Sequence, residues 1–344
     1  MTIKTGLIGY GLGGAVFHAP LIQASPSLSL AAIATSREVP HGIDKIADPQ
    51  ALIADPGIEL VVISTPNATH FPLALASLEA GKHVVIDKPF TATADQADRL
   101  IAVARERDLR LVPFHNRRWD GDFLTVRDLV ASARLGEILL CEMHWDRFRL
   151  DLRPGWKDEA AEGTGLLYDL GSHLVDQALR LFGPPDAVSG DLAVQRPGAA
   201  VDDYFALTLH YASRRVILTA STVAAEPRPR FALHGTGGSF VKPGLDPQEE
   251  QLKAGLRPGD RGYGAESSRL HGVVTMPDGG RERIATRPGR YVDFYDGVAA
   301  AIAEGAPVPV APEDARLGLE IIGAARESAA GGRVVDLRGL KARD

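Results

Sequence analysis

The chain has 344 residues, 45% of them hydrophobic and 24% charged, which is typical of a folded protein large enough for two domains with well-filled cores. The formal charge of -6 arises without long blocks of one sign, so nucleic-acid or anionic-membrane binding is not expected and a small-molecule substrate is favoured. The single cysteine excludes an internal disulfide. The start is not of signal type and no run of about 18 apolar residues occurs, so we expect a cytoplasmic protein without a membrane span.

The first third of the chain alternates short apolar strands with amphipathic helices. The clearest helix covers residues 93–107, with Thr93 as N-cap and Gln96 at the capping-box position. This alternation predicts a doubly wound parallel sheet, and it ends near Arg118. The predicted strands are residues 6–8, 28–34, 60–64, 83–86 and 109–113.

A glycine-rich run follows the first strand and precedes a helix predicted over residues 15–24, which Pro20 interrupts near its start. Gly9 permits a tight turn, Gly11 lets the backbone approach a pyrophosphate, and Gly14 lets the helix lie close to the strand. In this setting the spacing predicts a dinucleotide site. Its predicted residues are Gly9, Tyr10, Gly11, Leu12, Gly13 and Gly14.

The end of the second strand indicates which dinucleotide is preferred. NAD enzymes usually place an acid there, whereas this chain has Thr35, Ser36 and Arg37. Ser36 can donate to a 2'-phosphate and Arg37 can clamp it, so NADP is predicted. Glu38 leaves NAD or dual use open.

Two further strand ends supply polar side chains for the nicotinamide half of the cofactor. The third strand runs into Thr65, Pro66 and Asn67, and the fifth into Asn116. Asn67 can bond a ribose or amide group. His70 is either a cofactor contact or a helix-start histidine with a satisfied ring.

The fourth strand ends abruptly at Asp87, Lys88 and Pro89. A lysine at the carboxyl end of a parallel strand faces the edge where such sheets bind ligands. The alternative is a strand-end lysine paired with Asp87 in solvent. The cofactor site around it favours a functional Lys88.

Beyond residue 118 the pattern becomes that of a mixed domain with a large antiparallel sheet. A helix is predicted over residues 123–133, and residues 242–268 look like a loop excursion. One face of such a sheet would remain exposed and suit an oligomer interface. The predicted strands are residues 137–145, 187–194, 204–211, 216–222 and 230–234.

One helix of this second domain carries candidate catalytic groups. Asp169, His173 and Asp176 stand at i, i+4 and i+7, a spacing that places three polar groups on one helix face. An imidazole with a neighbouring carboxylate can act as a general acid and base. A structural ion pair and a metal site are the alternatives, but no further cluster completes a metal site.

The motifs together resemble the glucose-fructose oxidoreductase/inositol dehydrogenase/rhizopine catabolism (Gfo/Idh/MocA) family over nearly the whole chain. The resemblance rests on residues 9–14, 65–70, 87–89 and 116–118 and on Asp169-x-x-x-His173. It implies residues 1–118 as an NAD(P)-binding Rossmann domain and residues 119–344 as a substrate-binding and oligomerisation domain with an open, mostly antiparallel sheet. It also implies a dimer or tetramer formed through that sheet.

The resemblance assigns roles to individual residues. It implies Lys88, Asp169 and His173 as catalytic and substrate-binding residues and Asp87 as a contact to the cofactor ribose, although the family more often has Glu there. Trp156, followed by Lys157 rather than Arg, looks like a cofactor-contacting tryptophan of some relatives. Weaker candidates for the substrate pocket are His18, Phe148 and Tyr291.

The run from Gly9 to Pro20 looks most like the branch containing NADP-dependent scyllo-inositol dehydrogenases. We therefore expect hydride exchange between NADP, or NAD, and a sugar or cyclic polyol. The alternatives are a reductase of keto-sugars or anhydrosugars, a cofactor-retaining glycosidase of the same fold, and a non-catalytic NADP-dependent regulator.

Overall fold

The computed structural model describes residues 2–152 and 160–340. The chain folds into two compact units. Unit 1 comprises Met1–Asp120, Pro247–Gly264 and Gly289–Arg316, and unit 2 comprises Gly121–Asp246, Ala265–Pro288 and Leu317–Asp344. Unit 1 therefore contains two later segments in addition to the residues that the sequence assigned to the nucleotide-binding domain.

The regular elements are numbered in chain order. The strands are β1 Ile3–Ile8, β2 Leu28–Ala34, β3 Asp44–Ile46, β4 Leu60–Ile63, β5 His83–Ile86, β6 Leu111–Pro113, β7 Ile138–Asp146, β8 Ala187–Ala193, β9 Tyr204–His210, β10 Arg215–Ser221, β11 Phe231–Gly235, β12 Gly238–Lys242, β13 Gly272–Thr275, β14 Arg281–Ile284 and β15 Val335–Asp336. The α-helices are α1 Ala19–Ala24, α2 Pro49–Ala54, α3 His70–Glu79, α4 Ala94–Glu106, α5 Gly121–Ala131, α6 Ser172–Phe182, α7 Gln248–Lys253, α8 Val292–Ala303 and α9 Pro312–Gly331. Two π-helical turns, Gly13–His18 and Leu167–Gly171, precede α1 and α6.

Unit 1 is a doubly wound α/β unit. Its described strands form a six-stranded parallel sheet in the order β3-β2-β1-β4-β5-β6. This is the Rossmann order. The order in which the strands follow one another across the sheet reverses between β1 and β4, and ligands bind at the carboxyl ends of the strands near this point. The predicted parallel sheet is confirmed.

The core of unit 1 joins the sheet to a helix from much later in the chain. Val62 and Val85 of the sheet belong to the same buried cluster as Phe294, Tyr295 and Val298 of α8. Helix α4 buries its apolar face. The Thr93 hydroxyl accepts a hydrogen bond from the backbone N–H of Gln96 and so caps the start of the helix. Burial of each large apolar side chain contributes about 2 kcal/mol.

Unit 2 contains a nine-stranded sheet among its described residues, in the order β14-β13-β12-β11-β7-β10-β9-β8-β15. Neighbouring strands are antiparallel except for the parallel pair of β7 and β10. Leu170 of the π-helical turn and Leu174 of α6 belong to the same buried cluster as Met143 and Leu218 of the sheet. The predicted α/β fold with a mostly antiparallel second sheet is confirmed.

The prediction of a loop over residues 242–268 was wrong in part, because helix α7 lies within it. Gln248 at its start is fully buried, its amide oxygen accepts from the Tyr291 N–H, and its amide nitrogen donates to the Trp119 carbonyl. Leu252 is buried in the core of unit 1. The polar composition of this helix concealed these tertiary contacts from sequence analysis. Among the described residues, no helix is long and apolar enough to cross a membrane.

Candidate functional site

The glycine loop of unit 1 has the form that a dinucleotide site requires. Gly9 has φ +95°, and a Cβ there would overlap the Ser64 carbonyl. A Cβ on Gly14 would overlap the Gly9 carbonyl. At Gly11, by contrast, a Cβ would meet nothing within 4 Å, so the backbone is open at the position where a pyrophosphate must approach it.

The helical run behind this loop begins with the Ala15 amide donating to the Gly11 carbonyl at 2.9 Å. It continues through the first π-helical turn into α1, whose second residue is Pro20. An amino-terminal helix end of this kind favours phosphate oxygens. Tyr10 is partly exposed and Leu12 is 58% exposed, so both side chains border open space on the loop.

The tip after β2 distinguishes the two dinucleotides. Ser36 and Arg37 are exposed, and the Arg37 amide donates to the Thr35 hydroxyl at 3.1 Å. Lys45 binds the Glu38 carboxylate at 2.7 Å and lowers its pKa from the ordinary value. Glu38, the acid that left NAD use open, is thus bound by Lys45, whereas Ser36 and Arg37 remain exposed at the tip.

The loop after β4 is tied down from within. Asn67 is buried at the start of a short 3-10 turn, and the Thr69 hydroxyl donates to the Thr65 hydroxyl at 2.7 Å. Pro66 is exposed. His70 is the first residue of α3 and is buried, with Nδ1 2.8 Å from the Pro89 carbonyl oxygen and Nε2 2.9 Å from that of Thr65.

These contacts favour the alternative reading of His70, a satisfied helix-start histidine, over a direct cofactor contact. Burial lowers the pKa of its ring, against the opposing effect of Asp87. The ring connects the β4 loop to the corner after β5.

At that corner, Lys88 is half-buried at the carboxyl end of the parallel sheet, and the Lys88–Pro89 peptide bond is cis. Asp87 Oδ1 accepts the Lys88 N–H at 2.7 Å, and Oδ2 accepts the Ser64 hydroxyl at 3.0 Å. His18 Nε2 lies 3.3 Å from Oδ2. Burial opposes ionisation of Asp87, but His18, Lys88 and His70 outweigh it and hold the pKa of this carboxyl well below its ordinary value.

Three residues with predicted roles are held by contacts within unit 1. His18 is completely buried and lies against Asp87. Asp87 is bound by groups of its own unit. Tyr291 is also completely buried; its hydroxyl donates to Asp120 and accepts from Arg117, each at 2.5 Å.

Asn116 is buried in the 3-10 turn that follows β6, at the same sheet edge as Lys88. The next residue, Arg117, binds Glu249 of α7. Burial alone would depress the pKa of Arg117, but Tyr291, Asp120 and Glu249 raise it well above its ordinary value. The turn is thereby fastened to the later segments of unit 1.

In unit 2, Asp169 and His173 lie where a π-helical turn passes into α6. Asp169 is half-buried within the turn, and His173 is 4% exposed in the first turn of α6. Asp169 therefore stands in the π turn, whereas His173 and Asp176 stand in the α-helix that follows. Asp176 is 3% exposed, within α6.

The start of this helix is anchored by Asp202. Its carboxylate accepts the Leu167 N–H at 2.8 Å, its carbonyl accepts the Leu166 N–H at 2.8 Å, and Arg326 binds the same carboxylate at 3.2 Å. Gly165 has φ +100°, and a Cβ there would overlap the Asp202 carboxylate. A glycine at position 165 is therefore required for this close approach.

The His173 ring is held by aromatic packing. It stacks on Trp145 of β7, with ring centroids 5.9 Å apart and planes at 28°. The Arg230 guanidinium lies 5.0 Å from the Trp145 centroid and donates to the Gln177 amide oxygen at 2.5 Å. Trp145, Arg230 and Asp202 were not predicted, because only the sheet register brings them to this helix.

Two remaining candidates gain no support. Phe148 is 59% exposed after β7 and forms an isolated bridge with Val223. Trp156 lies outside the described residues. Within residues 2–152 and 160–340, no group of three or more His, Cys, Asp or Glu side chains could hold a metal ion.

Comparison with known proteins gives a family match for the main part of each unit. Residues 3–115 match an oxidoreductase family domain described as an NAD-binding Rossmann fold, and residues 127–337 match the C-terminal alpha/beta domain of the same family. The chain belongs to the Gfo/Idh/MocA oxidoreductase family. The resemblance drawn from the motifs is confirmed, and the protein is an NAD(P)-dependent oxidoreductase acting on CH-OH groups.

Among individual members of the Gfo/Idh/MocA family, the chain is 46% identical over 335 residues to the oxidoreductase YdgJ of Escherichia coli (strain K12), with 95% of this chain and 96% of that protein covered. It is 39% identical over 350 residues to scyllo-inositol 2-dehydrogenase (NADP(+)) IolW of Bacillus subtilis (strain 168), covering 98% and 96%. The solved structure of the oxidoreductase yvaA from Bacillus subtilis superposes with a TM-score of 0.95 at 38% identity, covering 98% and 99%.

Proposed function

We propose that the protein is an NADP(H)-dependent oxidoreductase that transfers a hydride between the nicotinamide and a cyclic polyol or sugar, converting an inositol-type CH-OH group to a ketone. The observation that carries the cofactor choice is the tip after β2, where Lys45 engages Glu38 and Arg37 is exposed. The substrate class is supported by the similarity to IolW, whose name assigns it scyllo-inositol and NADP.

The residues of this chain that would hold the cofactor are those of the glycine loop, the tip at Ser36 and Arg37, and the strand ends at Asn67 and Asn116. The open backbone at Gly11 fits a pyrophosphate. When bound, NADP supplies the acceptor for the hydride that leaves the carbinol carbon.

The acid and base chemistry is assigned to three side chains. In oxidation, the His173 imidazole takes the hydroxyl proton and Lys88 stabilises the negative charge that develops on the oxygen. Asp169 orients the imidazole. In reduction, His173 and Lys88 return the proton to the carbonyl oxygen.

The experiment that tests this function is a substrate screen with purified protein. We expect NADP reduction with one or more inositols or aldoses, measured as absorbance at the reduced nicotinamide band. NADPH oxidation with keto-sugars and anhydrosugar ketones is the second arm, and it identifies the reductase alternative. Binding of NADPH without turnover in either arm would overturn the enzymatic proposal in favour of a regulator.

The cofactor preference is tested at Arg37. We expect Arg37→Ala to lower the ratio of kcat/KM with NADP to kcat/KM with NAD by about 10-fold or more, because one charged contact to the 2'-phosphate is lost. Arg107→Ala, which changes an arginine on the far side of the same unit's sheet after α4, is the control. An unchanged ratio in Arg37→Ala would remove this residue from cofactor recognition.

We also propose a homo-oligomer formed through the sheet of unit 2. Support comes from β9 and β12, where the residues alternating with the buried ones are partly or fully exposed and include Ala206 and Val241, and from Ile217 of β10, which is partly exposed. Light scattering after size exclusion tests this. A mass of about one chain at micromolar concentration would contradict it.

A further inference from the structure

A buried polar chain runs from helix α8 to the corner that holds Lys88, all within unit 1. Tyr295 and His18 are both completely buried, and the Tyr295 oxygen lies 2.6 Å from His18 Nδ1. His18 Nε2 lies 3.3 Å from Asp87 Oδ2, and Asp87 Oδ1 accepts the Lys88 N–H at 2.7 Å. Four residues from three parts of the sequence are thus connected in series.

Burial, assisted by the negative charge of Asp87, raises the pKa of Tyr295 well above its ordinary value, so its hydroxyl is protonated. The Tyr295 oxygen is within hydrogen-bond distance of His18 Nδ1, and the other ring nitrogen, Nε2, faces the Asp87 carboxylate.

The same carboxylate lies directly against the glycine loop. A Cβ added to Gly13 would come within 2.8 Å of Asp87 Oδ2 and 2.5 Å of the Ser64 hydroxyl oxygen. The Ser64 hydroxyl in turn donates to Asp87 Oδ2 at 3.0 Å. Asp87 is therefore in contact with the loop predicted to bind pyrophosphate on one side and with the Lys88 backbone on the other.

The side chain of Asp87 is only 20% exposed, and both carboxylate oxygens have partners inside unit 1. A carboxylate that accepts the N–H of the next residue restricts the position of that residue's backbone.

We propose that His18 and Tyr295 are positioning residues: through Asp87 they fix the backbone of Lys88 relative to the glycine loop. The inference rests on the proposed role of Lys88 in the reaction. His18 and Tyr295 touch neither substrate nor cofactor, and they act by holding the carboxylate in the orientation that accepts the Lys88 N–H. Small displacements of a reacting group can cost about 100-fold in rate, so this restraint is expected to influence turnover.

The test compares Tyr295→Phe, which deletes one oxygen atom, with His18→Leu, which deletes both ring nitrogens, and His18→Gln, which retains an amide donor. The matched control is Ser25→Ala. Ser25 follows α1 and its hydroxyl donates to Asp296 of α8 at 2.7 Å, so it joins the same two helices without contact to Asp87.

Two readouts are needed. The first is kcat and the KM for NADP with the substrate found in the screen. The second is the hydrogen exchange rate of the Lys88 amide in cofactor-free protein labelled with 15N-lysine, which reports the bond to Asp87 without any turnover.

We expect Tyr295→Phe to lower kcat about 3- to 10-fold and His18→Leu about 10- to 100-fold, with the KM for NADP within about 3-fold of wild type. His18→Gln should lie between wild type and His18→Leu. The Lys88 amide should exchange faster by about 10-fold in Tyr295→Phe and more in His18→Leu. Ser25→Ala should match wild type in both readouts.

Wild-type kcat and wild-type Lys88 exchange in both Tyr295→Phe and His18→Leu would overturn the positioning role. If His18→Leu does not fold, Tyr295→Phe decides alone, since its volume is nearly unchanged. If the wild-type protein turns over no substrate in the screen, the proposed function fails, and the exchange rate of the Lys88 amide still decides whether the network holds that backbone.

Discussion

The two candidate catalytic side chains are supported in different ways. The Lys88 corner of unit 1 is held by hydrogen bonds and charges, from Asp87 on one side and from His70 through the Pro89 carbonyl on the other. His173 of unit 2 is held by the face of the Trp145 ring. A polar network fixes direction and can be weakened by the loss of one atom, whereas stacking fixes a plane and depends on the whole ring.

The elements that carry these side chains differ in the opposite sense. Lys88 follows a buried parallel strand whose neighbours on both sides bond to it, so the strand itself needs no further anchor. The helix of His173 begins at a π turn and depends on Asp202 to accept the N–H groups of its first turn. Of the two elements, the helix is therefore the one that a single substitution can weaken more.

The largest expected effect comes from removing the functional groups themselves. Lys88→Met and His173→Ala should each lower kcat by at least about 100-fold while NADPH still binds. Steady-state kinetics, with NADPH binding measured by fluorescence, checks both. Wild-type turnover in both variants would refute the assignment.

The anchor of the His173 helix is tested at Gly165. Gly165→Ala should lower the free energy of unfolding by at least about 2 kcal/mol, since it combines a positive φ with overlap against the Asp202 carboxylate. Denaturant titration measures this. Gly305→Ala, after α8, is the control: φ is +70° but a Cβ meets nothing within 4 Å, so about 1 kcal/mol is expected. Equal losses in the two variants would show that the contact with Asp202 has no energetic role.

The last expected effect depends on pH and lies in the sheet of unit 2. Burial, with Arg228 and Arg230 nearby and Asp146 opposing, lowers the pKa of His144 to about 4, and its Nδ1 lies 2.5 Å from the Thr219 hydroxyl. The unfolded chain therefore takes up a proton near pH 6.5 that the folded protein does not take up until near pH 4. Stability from this residue is complete above pH 6.5 and falls as the pH drops toward 4.

His144→Gln should reduce the slope of the unfolding free energy with pH by up to about 1.4 kcal/mol per pH unit between pH 6.5 and 4. This is the slope expected when the unfolded chain binds one proton more than the folded protein. Chemical denaturation at several pH values in wild type and variant gives the difference. His41→Gln, at an exposed histidine, is the control. A difference that does not change with pH would mean that His144 titrates alike in the folded and unfolded chains.

Much of the fold was predictable from local patterns. The βαβ alternation predicted the parallel sheet of unit 1, and Thr93 was correctly placed as a helix cap. The membership of α7 and α8 in unit 1 was not predictable, because nothing local to these segments specifies the partner against which they pack.

In the candidate site, too, some features follow from local patterns and others only from tertiary packing. Glycines that need a positive φ or a close approach, such as Gly9 and Gly14, are marked by their spacing next to a strand, as is the lysine at the end of β5. Backbone geometry and strand order are local consequences of residue type, so the sequence alone established the dinucleotide loop and the position of Lys88 at the sheet edge.

The partners of these residues were decided by packing across long separations in the chain. The resemblance implied a ribose contact for Asp87 but gave none of its partners within the protein. In the structure His18, 69 positions earlier, lies against its carboxylate, and Tyr295, 208 positions later, lies against His18. His173 likewise meets Trp145 only because β7 lies beneath α6. Such contacts depend on sheet register and helix packing, which no spacing along the chain encodes.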